Sequence, residues 1–159
     1  MRTILRLLPA SAVLFLATAC TRHPPFKPVA TVKQLMVSTI DPAADVLFEA
    51  VGTIISANGV EEIAPKNDEE WAIVRDNALI VAEAGNLLMM KGRAQDQGDW
   101  IKMSQALVDV GVVALKAAEA KNPAALFEAG GEVYAVCTDC HSRYWKQGDG
   151  NEKRLPAPR

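Results

Sequence analysis

At 159 residues the chain is long enough for one domain with a real core; half of its residues are hydrophobic and only 6% are aromatic. Its 17 Lys and Arg against 19 Asp and Glu leave a formal charge of -2 without a basic stripe, which argues against a nucleic-acid partner. Three cysteines are too few for a disulfide scaffold, so each needs its own explanation.

The chain begins with a short positive stretch, Met1 to Arg6, and continues with an apolar run from Leu7 to Ala19. That run has the length of a signal-peptide core and is too short to span a bilayer as a stable helix. It ends Leu16-Ala17-Thr18-Ala19-Cys20, so residues 1–19 read as an export signal. The ending resembles a bacterial lipoprotein box, in which the Cys becomes the acylated first residue, although Ala17 stands where that box commonly has Leu. Ala17 and Ala19 also suit an ordinary signal peptidase, which would leave Cys20 as a free thiol. Lipidation of Cys20 is the favoured expectation, because an unpaired thiol is a liability in an oxidising compartment. Either cleavage places the mature chain in the periplasm and removes Arg2 and Arg6, making the domain more acidic. Residues 20–30 contain Pro24, Pro25 and Pro28 and read as an extended, semi-rigid tether.

The folded domain is expected over residues 31–147. Val32, Met36, Thr39, Ala43, Leu47, Ala50 and Ile54 recur at three- and four-residue steps and predict a first helix from Val32 to Ser56. Pro42 cannot donate toward the Val37 and Ser38 carbonyls, so a kink is expected there, or a restart with Asp41 as N-cap. Asn58-Gly59 ends this element, and Val60 to Lys66 reads as loop. Asn67 followed three residues later by Glu70 has capping-box spacing and opens a second helix. Its apolar stripe is Trp71, Val74, Ala78, Val81, Gly85 and Leu88, and Lys91-Gly92 stops it. A third helix runs from Asp99 to Lys121, with Trp100, Ser104, Leu107, Gly111, Ala114 and Ala118 on one face. Asn122 as N-cap and Pro123 at the first helical position open a fourth, whose face reads Leu126, Gly130, Val133, Cys137, His141 and Tyr144. Gly130-Gly131 is costly inside a helix. Either a neighbouring helix or a cofactor approaches closely there, or it is a tolerated weak spot. No strand pattern stands out. Four helices with short loops predict an all-α fold, an antiparallel four-helix bundle, followed by a polar tail over residues 148–159.

The chemistry concentrates in Cys137-Thr-Asp-Cys140-His141, a C-x-x-C-H sequence, the attachment signature for c-type haem. Two thiols add to the haem vinyl groups as thioethers and the adjacent imidazole binds the iron. On a helix, Cys137 and His141 are i and i+4 and share a face, with Cys140 beside them. Three blander readings stand beside it. A thioredoxin-like redox pair needs a preceding strand. Half a zinc site needs further ligands, and His23 is the only other histidine. A disulfide between Cys137 and Cys140 would leave His141 unexplained.

The motif near the C-terminus of a last helix, an aromatic three residues on at Tyr144, and the helix order together resemble the cytochrome c′ superfamily, the class II c-type cytochromes, over Thr31 to Trp145. The resemblance implies covalent haem c on Cys137 and Cys140, with His141 as proximal iron ligand. It also implies that a first-helix residue covers the other iron face. Met36 stands where the low-spin branch has its Met ligand; the plain alternative is a core gap-filler. Met89, Met90 and Met103 are rivals. With Met36 on the iron, the protein would be a single-haem electron carrier. An open iron would bind small gases such as NO or CO instead, and a third option is a haem subunit of a larger oxidoreductase. No general acid or base is evident near the haem, which favours a carrier over an enzyme. Lys102, Lys116, Arg143 and Lys146 could dock a redox protein partner or simply form a solvated face. The superfamily often forms homodimers through its first two helices, although Trp71 could equally be core.

Overall fold

The computed structural model describes residues 26–145. The export signal, Cys20, His23, Lys146 and the tail over 148–159 lie outside the described residues. The described residues are predominantly helical, with one two-stranded sheet. Its order is α1 (Val32–Leu35), a π-helical turn (Met36–Ile40), α2 (Asp41–Glu49), β1 (Gly52–Ser56), β2 (Gly59–Ile63), α3 (Asp68–Leu88), α4 (Asp99–Glu119) and α5 (Pro123–Tyr144). Among the described residues, no helix is long and apolar enough to cross a membrane.

The expected first helix needs two corrections. It starts with a reciprocal capping box: Thr31 Oγ1 accepts from the Gln34 amide, and Gln34 Oε1 accepts from the Thr31 amide. It does not restart at an Asp41 cap. Asp41 is itself helical, and its amide donates to the Met36 carbonyl, an i→i+5 bond. The widened turn precedes Pro42, whose ring would otherwise crowd the Ser38 carbonyl. The helix also stops at Glu49 instead of running to Ser56, and the stretch read as helix end and loop is a β-hairpin. Gly52 weakens the helix, and Thr53-Ile54-Ile55 is a β-branched run that favours a strand. Ser56 pairs with Gly59 across Ala57-Asn58, and Gly59 takes the positive φ of 127° that its lack of a Cβ permits. Thr53 pairs with Glu62 and donates to its carboxylate at 3.0 Å.

The other three long helices follow the sequence closely. Asn67 caps α3 by accepting from the Glu70 amide at 2.9 Å, while Glu70 accepts in turn from the Lys66 amide at 2.7 Å. Asn122 caps α5 by accepting from the Ala125 amide, with Pro123 first in the helix. The stripes expected for α3 and α4 are buried throughout, Trp71 included.

The largest interface joins α3 to α4, and glycine sets its spacing. A Cβ on Gly111 would lie 2.6 Å from the Ala82 amide nitrogen, and one on Gly85 would lie 2.5 Å from the Ser104 carbonyl oxygen. Backbone therefore rests on backbone at both points. An ion pair from Lys121 to Asp68 (2.7 Å) links the end of α4 to the start of α3. Gly130 and Gly131 do not mark a close approach by another helix. The nearest atom to a Cβ at Gly130 is Phe48 Cδ1 at 4.0 Å, and a Cβ at Gly131 meets nothing within 4 Å.

At the other end of α3, the buried Arg93 guanidinium donates to the Leu87 carbonyl at 3.1 Å and to the Ala30 carbonyl at 3.0 Å. A cation placed on helix C-terminal carbonyls is well solvated by their dipoles. It also ties Ala30, just ahead of α1, to the α3–α4 connection.

These contacts predict opposite outcomes for one substitution type. Gly111→Ala should cost about 1–3 kcal/mol by overpacking, more than the roughly 1 kcal/mol of helix propensity it gains. Gly131→Ala should instead stabilise by up to about 1 kcal/mol. Urea denaturation of both variants checks the signs.

Candidate functional site

α2 and α5 touch over a much shorter stretch than α3 and α4 or α4 and α5 do. A cavity of about 570 Å³ opens between them, lined by Met36, Ile40, Asp41, Ala44 and Phe48 from one wall. Tyr134, Cys137, Thr138, Cys140, His141, Ser142 and Trp145 form the other. All three motif residues therefore reach one cavity, and Met36 reaches it from the opposite wall. Met89, Met90 and Met103 are not among the lining residues; Met90 accepts a hydrogen bond from Arg93 instead, at 3.1 Å.

The motif occupies the last two turns of α5, and contacts to the α3–α4 connection hold that end in place. Asp96 is central. One carboxylate oxygen accepts from the Gly98 amide at 2.8 Å and the Trp100 amide at 3.1 Å, serving α4 where Gly98 has no side chain to cap it. The other accepts from the Tyr144 hydroxyl in a short hydrogen bond. The buried Trp100 stacks edge-on against Tyr144 at 5.0 Å and donates from its indole to the Leu88 carbonyl at 2.9 Å. Arg143 pairs with Asp99 at 2.6 Å and lies over the Tyr144 ring. On the cavity side, the Trp145 ring meets the His141 imidazole edge-on at 5.0 Å.

Of the cations considered for docking, Arg143 and Lys102 share Asp99, the latter at 3.8 Å. Lys116 is exposed on α4, and Lys146 lies outside the described residues. Asp41 is a site residue that sequence reasoning missed, since it was read only as a cap. Asp41 lines the cavity, and its charge helps raise the Cys137 thiol.

The electrostatics bear on the readings of the cysteine pair. Both cysteines are half-buried. Burial pushes the Cys137 thiol up, and Cys140 and the Asp41 carboxylate push the same way; burial alone raises Cys140. A thioredoxin-like pair needs a lowered thiol pKa at a helix N-terminus. This pair sits at the C-terminal end of a helix, follows no strand and is raised. Among the described residues, no group of three or more His, Cys, Asp or Glu is placed to hold a bare metal ion.

A haem fits the donor set that is present. Two thiols and an imidazole share one wall, a thioether faces them, and Ile40, Ala44 and Phe48 supply apolar surface. The cavity falls within the roughly 300–1,000 Å³ usual for sites of cofactor-sized ligands. Compared with family models, curated proteins and solved structures, the chain has no match.

The hydrogen bonds from Tyr144, Gly98 and Trp100 hold the Asp96 carboxyl below its ordinary pKa. A carboxylate depressed in the folded state stabilises above its unfolded pKa of about 3.9, and that stabilisation is lost as pH falls through the folded value. Asp96→Asn should therefore flatten the loss of stability below about pH 4, which urea titrations at stepped pH would reveal.

Proposed function

We propose that the chain is an exported c-type cytochrome, an antiparallel four-helix bundle of the cytochrome c′ superfamily, that carries single electrons between redox protein partners. The observation carrying this reading is the convergence of Cys137, Cys140, His141 and Met36 on one cavity. Cys137 and Cys140 would anchor haem c by thioethers, and His141 and Met36 would ligate its iron. Bound there, haem supplies a reversible one-electron iron couple.

The chain's own residues would tune that couple and protect it. The Met36 thioether would favour the reduced iron and raise the potential relative to a second imidazole. Asp41, on the lining, would oppose that by favouring the more positive state. Ile40, Ala44 and Phe48 would supply apolar surface around Asp41 on the same wall and limit water. The Tyr144–Asp96 and Trp100 contacts fix the end of α5, and so the direction of the His141 ring. The two anchoring thiols would retain the group in a compartment where it is not easily resupplied. Cys20, as a lipidated first residue, would hold the domain at the membrane surface.

Optical spectra of the purified protein, oxidised and reduced, test the reading. The oxidised protein should be low-spin with a thioether-to-iron band, and Met36→Ala should abolish the band and produce a high-spin species that binds carbon monoxide when reduced. A wild-type protein that is already high-spin and binds carbon monoxide would favour gas binding over electron transfer.

A further inference from the structure

The π-helical turn separates two stripes that an unbroken α-helix would merge. In an α-helix, Met36 shares its face with positions 40, 43 and 47. Those three residues are Ile40, Ala43 and Leu47, with 4%, 2% and 1% exposure, the core stripe of this element. Met36 would then continue that stripe, of whose three residues only Ile40 lines the cavity. In the structure Met36 is partly buried against the core and also lines the cavity. Asp41 bonds to Met36 across i→i+5, so the register advances by one residue within the turn. Met36 now aligns with Asp41, Ala44 and Phe48, all of which line the cavity, whereas of the core stripe Ile40 borders it and Ala43 and Leu47 do not. Leu35, 5% exposed, steps by five to Ile40 and so begins the core stripe in its place.

Resting on the proposed axial role of Met36, we infer that the π turn is the device that aims its side chain at the cavity and that Pro42 is its positioning residue. The cause is steric and local. Pro42 has no amide to close an ordinary turn on the Ser38 carbonyl, and its ring crowds that oxygen. Widening the preceding turn relieves the clash and adds the extra residue. The turn carries Met36, Val37, Ser38, Thr39 and Ile40. Of these, Val37 and Ser38 are exposed, so the surplus residue is accommodated on the solvent side. Ser38 Oγ donates to the Gln34 carbonyl at 2.6 Å, within reach of the loosened backbone.

Two variants test this. Pro42→Ala restores the missing amide and should let the segment close as α-helix, turning Met36 toward the core stripe. Combining Pro42→Ala with deletion of Val37 removes the surplus residue, so that Met36 and Asp41 become i and i+4 and the cavity alignment returns. In the haem-loaded proteins, most of the thioether-to-iron band should be lost in the first variant and regained in the second. In the haem-free proteins, NMR couplings across hydrogen bonds should show the Met36 carbonyl paired with the Asp41 amide in wild type and with the Ile40 amide in Pro42→Ala. If Pro42→Ala keeps both the band and the Asp41 pairing while Met36→Ala loses the band, the positioning inference is overturned and the electron-carrier reading stands. If Met36→Ala leaves the wild-type spectrum unchanged, the axial role of Met36 fails, and this inference fails with it.

Discussion

One carboxylate, that of Asp96, joins the start of α4 to the end of α5. It accepts two backbone amides where Gly98 offers no cap and takes the Tyr144 hydroxyl with its other oxygen. Trp100 fills the corner behind it. Because Tyr144 is three residues past His141, this junction determines where the last two turns of α5 point. The placement of the cysteine pair and the imidazole on a single cavity depends on it.

The two sides of the molecule are packed differently. On one side, α3 and α4 meet backbone to backbone at Gly85 and Gly111, where no side chain could be inserted without displacing a neighbour. On the other side, α2 meets α5 only briefly, and a cavity opens between them. A cofactor held covalently on α5 and axially from the far wall would fill that gap and bridge the two. Folding of the α1–α2 wall would then be coupled to cofactor attachment.

Much of this was legible in the sequence because the signals were local. Asn67 with Glu70 and Asn122 with Pro123 marked helix starts that the structure uses. The stripes of Trp71 to Leu88 and Trp100 to Ala118 fell where helical periodicity put them. Cys137, Cys140 and His141 could be grouped by spacing alone. The failures were competitions between local signals. Ala50 and Ile54 continued the helical period, but Gly52, the β-branched Thr53-Ile54-Ile55 and Asn58-Gly59 together favoured a hairpin. Of the reasons open for Gly130-Gly131, a neighbouring helix is not one: the close helix approaches fall at Gly85 and Gly111, since helix crossing points depend on tertiary geometry. α-Helical counting placed Met36 on one face with Ala43 and Leu47, while the resemblance offered it as an iron ligand. Its alignment with Asp41, Ala44 and Phe48 follows from a π turn, which periodicity does not reveal, although Pro42 was a visible reason to expect irregularity there.

The proposed chemistry rests on a permanent bond between polypeptide and porphyrin, so mass spectrometry under denaturing conditions addresses it most directly. The protein, made in a host with a c-type maturation system, is unfolded in acid and weighed intact, then digested. The account predicts the mass of one haem retained on the chain and carried by the peptide containing both Cys137 and Cys140. A chain of bare polypeptide mass in that host, with both thiols free to alkylate, would contradict it.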